Sequence, residues 1–99
     1  MARYVVLVNW TEEGARTVQD TVKRTNSVAQ LTEKLGARMT DIYWTLGEYD
    51  LVGIFDAPDD ETMTAVALAV SSRGAARTQT LRAFERKEME SILQKAVGS

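Results

Sequence analysis

"WTLGEYDLVGIFDAPDDE", residues 44–61, decides the fold more than any other stretch. Gly47-Glu48 has the size of a two-residue hairpin turn with glycine at the first central position. The run that follows, "YDLVGIFD" (49–56), is apolar at both alternating sets of positions, which marks a strand buried on both faces. Gly53 inside it points to a close approach by another side chain or backbone. "APDDE" (57–61) then opens a helix, with Pro58 ahead of it, Asp59 or Asp60 as the cap, and acids in the first turn. On the other side of the turn, "ARMTDIYWTL" (37–46) reads as a second strand, polar at its start and therefore an edge.

Working outward, "RYVVLVNW" (3–10) is β-branched and aromatic with both faces apolar, a second central strand. Thr11 caps a helix whose first turn holds Glu12 and Glu13, where the helix dipole favours them. Ala15, Val18 and Val22 keep helical spacing. Thr25-Asn26-Ser27 predicts a kink or break, and the stripe resumes at Val28, Leu31 and Leu35 before Gly36 as a left-handed cap. Met63, Val66, Ala67 and Val70 form the buried stripe of the next helix, which Gly74 ends. "ARTQTLRAF" (76–84) is a fourth strand with polar positions suited to the opposite edge, and residues 85–97 form a last amphipathic helix with Met89, Ile92, Leu93 and Ala96 on one side.

Composition narrows the chemistry. The chain of 99 residues is read as one domain spanning 1–99, 44 % hydrophobic and 26 % charged. With 12 basic and 14 acidic residues and no run of cations, it lacks the electrostatic term that drives nucleic-acid binding. Its apolar runs are too short to span a membrane. No basic-apolar-small segment opens it, so a cytoplasmic location is expected. Cysteine is absent, which removes disulfides and thiolate chemistry. Histidine is absent too, which removes imidazole metal ligation and Ser-His or Cys-His activation. No cofactor and no metal are expected; the acids at 59–61 read as cap and dipole residues.

The order β-α-β-β-α-β predicts a ferredoxin-like α+β sandwich, with right-handed crossovers giving an antiparallel sheet ordered 4-1-3-2. Two crossover helices cover one face. The other face would stay bare, and since both central strands are apolar on both sides, a homodimer or higher oligomer is expected, two sheets packing face to face with the last helix as a brace. The topology sends Asn9 and Trp10, Tyr43 and Trp44, Tyr49 and Asp50, and Arg77 and Thr78 to one rim. An arginine, a carboxylate, a phenol, an amide and a helix N-terminus there suit a small polar or anionic molecule. Asp50, with Tyr49, is the candidate catalytic pair, Asp50 as proton acceptor. The plainer reading gives Asp50 to turn amides or to Arg77, and the aromatic residues to packing.

"LGEYDLVGIFDAPDDE" with "ARTQTLRAF" resembles the GYD-domain family, whose glycine, tyrosine and aspartate would here be Gly47, Tyr49 and Asp50; "YVVLVNWTEEG" is similar to its opening strand and helix start. The resemblance runs from residue 4 to about 84. It implies the fold of the dimeric α/β-barrel superfamily, which holds cofactor-free monooxygenases, muconolactone-type isomerases, haem enzymes and ligand-binding domains of regulators. The family implies no established activity of its own. The haem enzymes' proximal histidine has no counterpart in this chain. Three functions follow: a small-molecule-binding module, a cofactor-independent isomerase or monooxygenase in which Asp50 removes a proton and Arg77 holds the enolate, and a structural oligomerisation protein.

Overall fold

The structure, a computed structural model, describes residues 1–98. In chain order it contains β1 (Ala2–Trp10), α1 (Glu12–Arg16), a short 3-10 turn (Val18–Asp20), α2 (Thr21–Lys34), β2 (Arg38–Trp44), β3 (Leu51–Ala57), α3 (Asp60–Ser72), β4 (Ala76–Ala83) and α4 (Arg86–Val97). The four strands form one sheet in the order β2-β3-β1-β4, every neighbour antiparallel. This is the expected order, with the two doubly apolar strands at the centre.

Local chemistry accounts for the helix starts. Thr11 accepts the Gly14 N–H on its hydroxyl, and Asp59 accepts the Thr62 N–H on its carboxylate at 2.8 Å. Each satisfies a donor that the first helical turn leaves free. Asp59 is consequently held below its ordinary carboxylate pKa by those Thr62 hydrogen bonds. The C-terminal side chain-free turns also fall where expected, with Gly36 at φ +91° and Gly74 at φ +86°.

Three expectations are corrected. The helix after Thr11 breaks at Thr17, not at Thr25-Asn26-Ser27, which lie inside an unbroken α2. Polar β-branched residues tolerate a helix interior when the hydroxyl bonds back up the helix, as Thr25 does to the Val22 carbonyl. The stripe through Val18 and Val22 is not buried; these side chains are 41 % and 56 % exposed. The hairpin is longer than two residues: Thr45 N–H donates to the Asp50 carbonyl at 2.9 Å, leaving 46–49 as the loop. Tyr49 and Asp50 therefore precede β3 instead of opening it.

The core lies between the sheet and α2 and α3. Tyr4, Val6, Phe55 and Ala57 from the strands meet Met63 and Val66 of α3 there, with Val28 of α2 packed against them. Gly53 is the expected close approach: a Cβ there would lie 2.7 Å from Phe55 Cε1, so the ring occupies the space a side chain would need. A bulge between Met39 and Asp41 shifts the β2 register, so Met39 opposite Phe55 and Ile42 opposite Gly53 both serve the core face although three residues apart.

The remaining positions form the helix-free face. Val5 and Leu7 of β1 lie beside Ile54 and Val52 of β3, flanked by Leu81 of β4 and Tyr43 of β2. None of these six is fully buried, and Tyr43 is 57 % exposed. α4 begins at a reciprocal Glu85–Glu88 cap but packs extensively on no other element. Its Met89 and Leu93 remain 43 % and 48 % exposed. The projecting helix lengthens the molecule to 53 Å and raises its radius of gyration to 15.1 Å, where about 13 Å is ordinary for this chain length.

Candidate functional site

The rim is assembled from the end of β1, the 45–50 loop and the start of β4, but its residues divide between the two faces of the sheet. Side chains alternate along a strand, so neighbours in sequence point oppositely. Asn9, paired with Arg77, belongs to the helix-free face, as does Tyr43 opposite Val52. Trp10 and Thr78 belong to the helix side, where both line a cavity against α2 and α3. Trp44, opposite Leu51, turns the same way and donates its indole N–H to Thr21 Oγ1 at 3.0 Å.

Tyr49 and Asp50 are placed by the loop. The Tyr49 hydroxyl donates to Gln79 Oε1 at 3.3 Å, and its carbonyl accepts the Thr45 hydroxyl. Because Gln79 sits opposite Leu7, the phenol reaches across the helix-free face toward β4. Asp50 Oδ2 accepts the Trp10 backbone N–H at 2.9 Å, while its own N–H donates to the Val8 carbonyl. β3 starts at Leu51, opposite Val8 and two residues short of the position facing Trp10, and the carboxylate stands in for the missing rung of the ladder. Arg77 has no carboxylate within 4.0 Å among the described residues, so the expected alternative pairing with Asp50 is absent. Among the described residues no three acids gather at a spacing that would hold a metal ion.

Two arrangements lie outside the rim that sequence reasoning singled out. At the far end of the molecule, the buried Tyr4 hydroxyl donates to Asp60 Oδ1 at 2.5 Å, with the Arg82 guanidinium 5.7 Å from the Tyr4 ring and 4.4 Å from that of Phe84. Burial and the bond to Asp60 push the Tyr4 phenol up to about 12, so at neutral pH it is a fixed donor. Close by, Arg3 donates twice to the Asp56 carboxylate, at 3.0 and 3.2 Å, which holds that carboxyl below its usual range.

The second is a cavity of about 110 Å³ between the sheet and α2 and α3. Val6, Val8, Phe55, Val66 and Val70 are among the side chains of its apolar wall. Trp10, Thr21, Arg24, Arg73 and Thr78 are also among the residues that line it. Arg24 donates to the carbonyls of Gly14 and Thr17 at 3.1 and 2.9 Å, closing the broken end of α1, and Arg73 donates to Ser27 Oγ at 2.9 Å. The only signal for this site in the sequence was helical spacing toward α3: residues 24 and 73 are far apart in the chain, and nothing local links them.

Comparison with known proteins follows the geometry. The family model of the GYD domain matches residues 4–93. A protein of Thermus thermophilus called "Glutamine synthetase and cystathionine beta-lyase binding protein" is 36 % identical over 85 residues, covering 85 % of this chain and 90 % of that protein. A crystal structure from the same organism superposes with a TM-score of 0.56 at 25 % identity, covering 86 % of this chain and 95 % of the other.

Proposed function

The chain belongs to the GYD domain family, and on that footing we propose that it works as a homo-oligomeric binding module whose partners include other proteins. One observation carries the reading. The helix-free face, with Val5, Leu7, Val52, Ile54, Leu81 and Tyr43, and the projecting stripe of α4, with Met89 and Leu93, leave apolar surface in water on two adjoining elements. Burying a leucine-sized side chain is worth about 1.5–3 kcal/mol, so a second copy laid over this face gains from several at once. α4 then has a surface to brace, which its own chain does not offer.

The named Thermus relative supports protein partners: it is a binding protein for two enzymes, and the same kind of partner suits the paired module. A small polar or anionic molecule fits the open-face half of the rim, where Asn9, Tyr43, Tyr49 and Arg77 would be enclosed by the second copy. An enzymatic role for Asp50 has less support, since its carboxylate already serves the Trp10 amide. The cytoplasm is the setting we assign to this module.

Light scattering across a concentration series tests the assembly. The expected mass is at least twice the 11.0 kDa chain, falling to the single-chain value in Leu7→Asp/Ile54→Asp. A wild-type particle that stays at single-chain mass at about 100 μM, weaker than specific association requires, overturns the reading.

A further inference from the structure

We propose that the cavity between the sheet and helices α2 and α3 is a binding site for a small uncharged apolar molecule, a single ring or a short hydrocarbon chain. The site lies on the opposite side of the sheet from the face assigned to pairing, and does not depend on that assignment.

Size is the first argument. Protein interiors hold few voids larger than a water molecule, because each one forfeits the contacts that would cross it. This cavity measures about 110 Å³. Small residues keep it open: Gly53 and Ala76 on the strands, and Val28 and Val70 on the helices, stand where longer side chains would fill it. It also reaches the surface. Its lining passes from Met63 and Val66, 2 % and 1 % exposed, to Arg73, which is exposed, so a molecule has a route in from solvent.

The chemistry of the wall is the second. Val6, Val8, Phe55 and Val66 turn hydrocarbon to the cavity. The polar residues among its lining are engaged within the protein: Thr21 accepts the Trp44 indole N–H, and Thr25 donates to the Val22 carbonyl. Arg24 donates to the Gly14 and Thr17 carbonyls, and Arg73 to Ser27 Oγ. Among the described residues, no buried side-chain nitrogen or oxygen lacks a hydrogen-bond partner. The site therefore asks for no hydrogen bond. A ligand with a charged group would give up its hydration there without compensation, whereas an apolar one gains by leaving water. A dry apolar cavity of about 150 Å³ holds benzene, so a ring with its edge at the opening, or a chain of about five carbons, matches this one.

Valines on the two faces of the sheet make the experiment self-locating. Toluene, benzoate and benzylammonium share one ring and differ in charge. Each is titrated into the full chain, toluene up to aqueous saturation, while valine methyl resonances and the unfolding midpoint are followed. Toluene is expected to shift the methyls of Val6, Val8, Val66 and Val70 saturably and to raise the midpoint. The methyls of Val5 and Val52, on the helix-free face, stay in place. Benzoate and benzylammonium bind at least about tenfold more weakly. Val70→Phe abolishes the shifts by filling the cavity, and Thr78→Leu does the same from the sheet side should Val70→Phe fail to fold. No saturable response to toluene overturns the proposal, as do shifts centred on Val5 and Val52, equal binding of benzoate, or undiminished binding in a folded filled variant. Running the titration on Leu7→Asp/Ile54→Asp separates the two readings: toluene binding there is expected to persist, whatever the light scattering says about assembly.

Discussion

The Asp50 carboxylate and the Trp10 backbone N–H, 40 residues apart in sequence, meet at 2.9 Å where β3 has run out. The side chain completes a ladder that the main chain leaves one rung short, and so ties the 45–50 loop to the end of β1. Asp50→Ala should leave the Trp10 N–H without a protein partner and cost about 1–3 kcal/mol. In a chain of this size that is a fall of several degrees in unfolding midpoint, about 4–8 °C per kcal/mol. Asp50→Asn keeps a carbonyl acceptor and should recover most of it. An Ala variant as stable as wild type would deny the bond its structural role.

Two glycines should differ in a way their sequence context does not reveal. A Cβ on Gly14 would sit 2.0 Å from the Ala75 carbonyl oxygen, part of the main chain, whereas one on Gly53 would press on the Phe55 ring at 2.7 Å. A ring can swing aside, and a backbone carbonyl that also accepts the Thr11 N–H cannot. Gly14→Ala should therefore cost about 3 kcal/mol or more and Gly53→Ala about 1–2 kcal/mol, read from urea midpoints. The reverse order would show the contact geometry to be misjudged.

Alkaline titration isolates Tyr4. Its folded-state value, about 12, lies above the ordinary 10.0, so the proton is held more tightly in the folded chain. The stability this contributes is complete below pH 10, and is lost as the pH climbs from there toward 12. Of the three tyrosines, one should ionise last in an ultraviolet titration, and that late step should vanish in Tyr4→Phe. A late step surviving the substitution would assign it elsewhere.

α4 offers a test in which stability and association separate. Met89→Lys with Leu93→Lys changes side chains that the rest of the chain leaves nearly half exposed. The unfolding of the sheet and its two packed helices should stay within about 0.5 kcal/mol of wild type. Association between copies should weaken at least about tenfold, since two apolar contacts are withdrawn from it. Unchanged association would remove α4 from the interface.

Much of this architecture can be read from residue patterns. Within "RYVVLVNW" and "YDLVGIFD" the runs 4–8 and 51–55 carry no polar side chain in either phase, the mark of a central strand. Their central places in the sheet follow, with the more polar β2 and β4 at the edges. Thr11 and Asp59 announce their helices because capping is an interaction of three residues' reach.

The candidate site was much less legible. Gly47-Glu48 looked like the whole turn, but the Thr45–Asp50 bond closes a wider loop and shifts Tyr49 and Asp50 out of the strand. The rim looked like one cluster; alternation then sent Trp10, Trp44 and Thr78 to the helix side, and Asn9, Tyr43 and Arg77 to the other.

Periodicity and capping act within a turn or two of the chain, so the order of the elements and the identity of the central strands were written in the residues themselves. Which partner the Asp50 carboxylate would find, and which face of the sheet each rim residue would take, depended on strand register and a bulge at residues 39–41. Those are relations between segments tens of residues apart, and no local pattern carries the distances that create them.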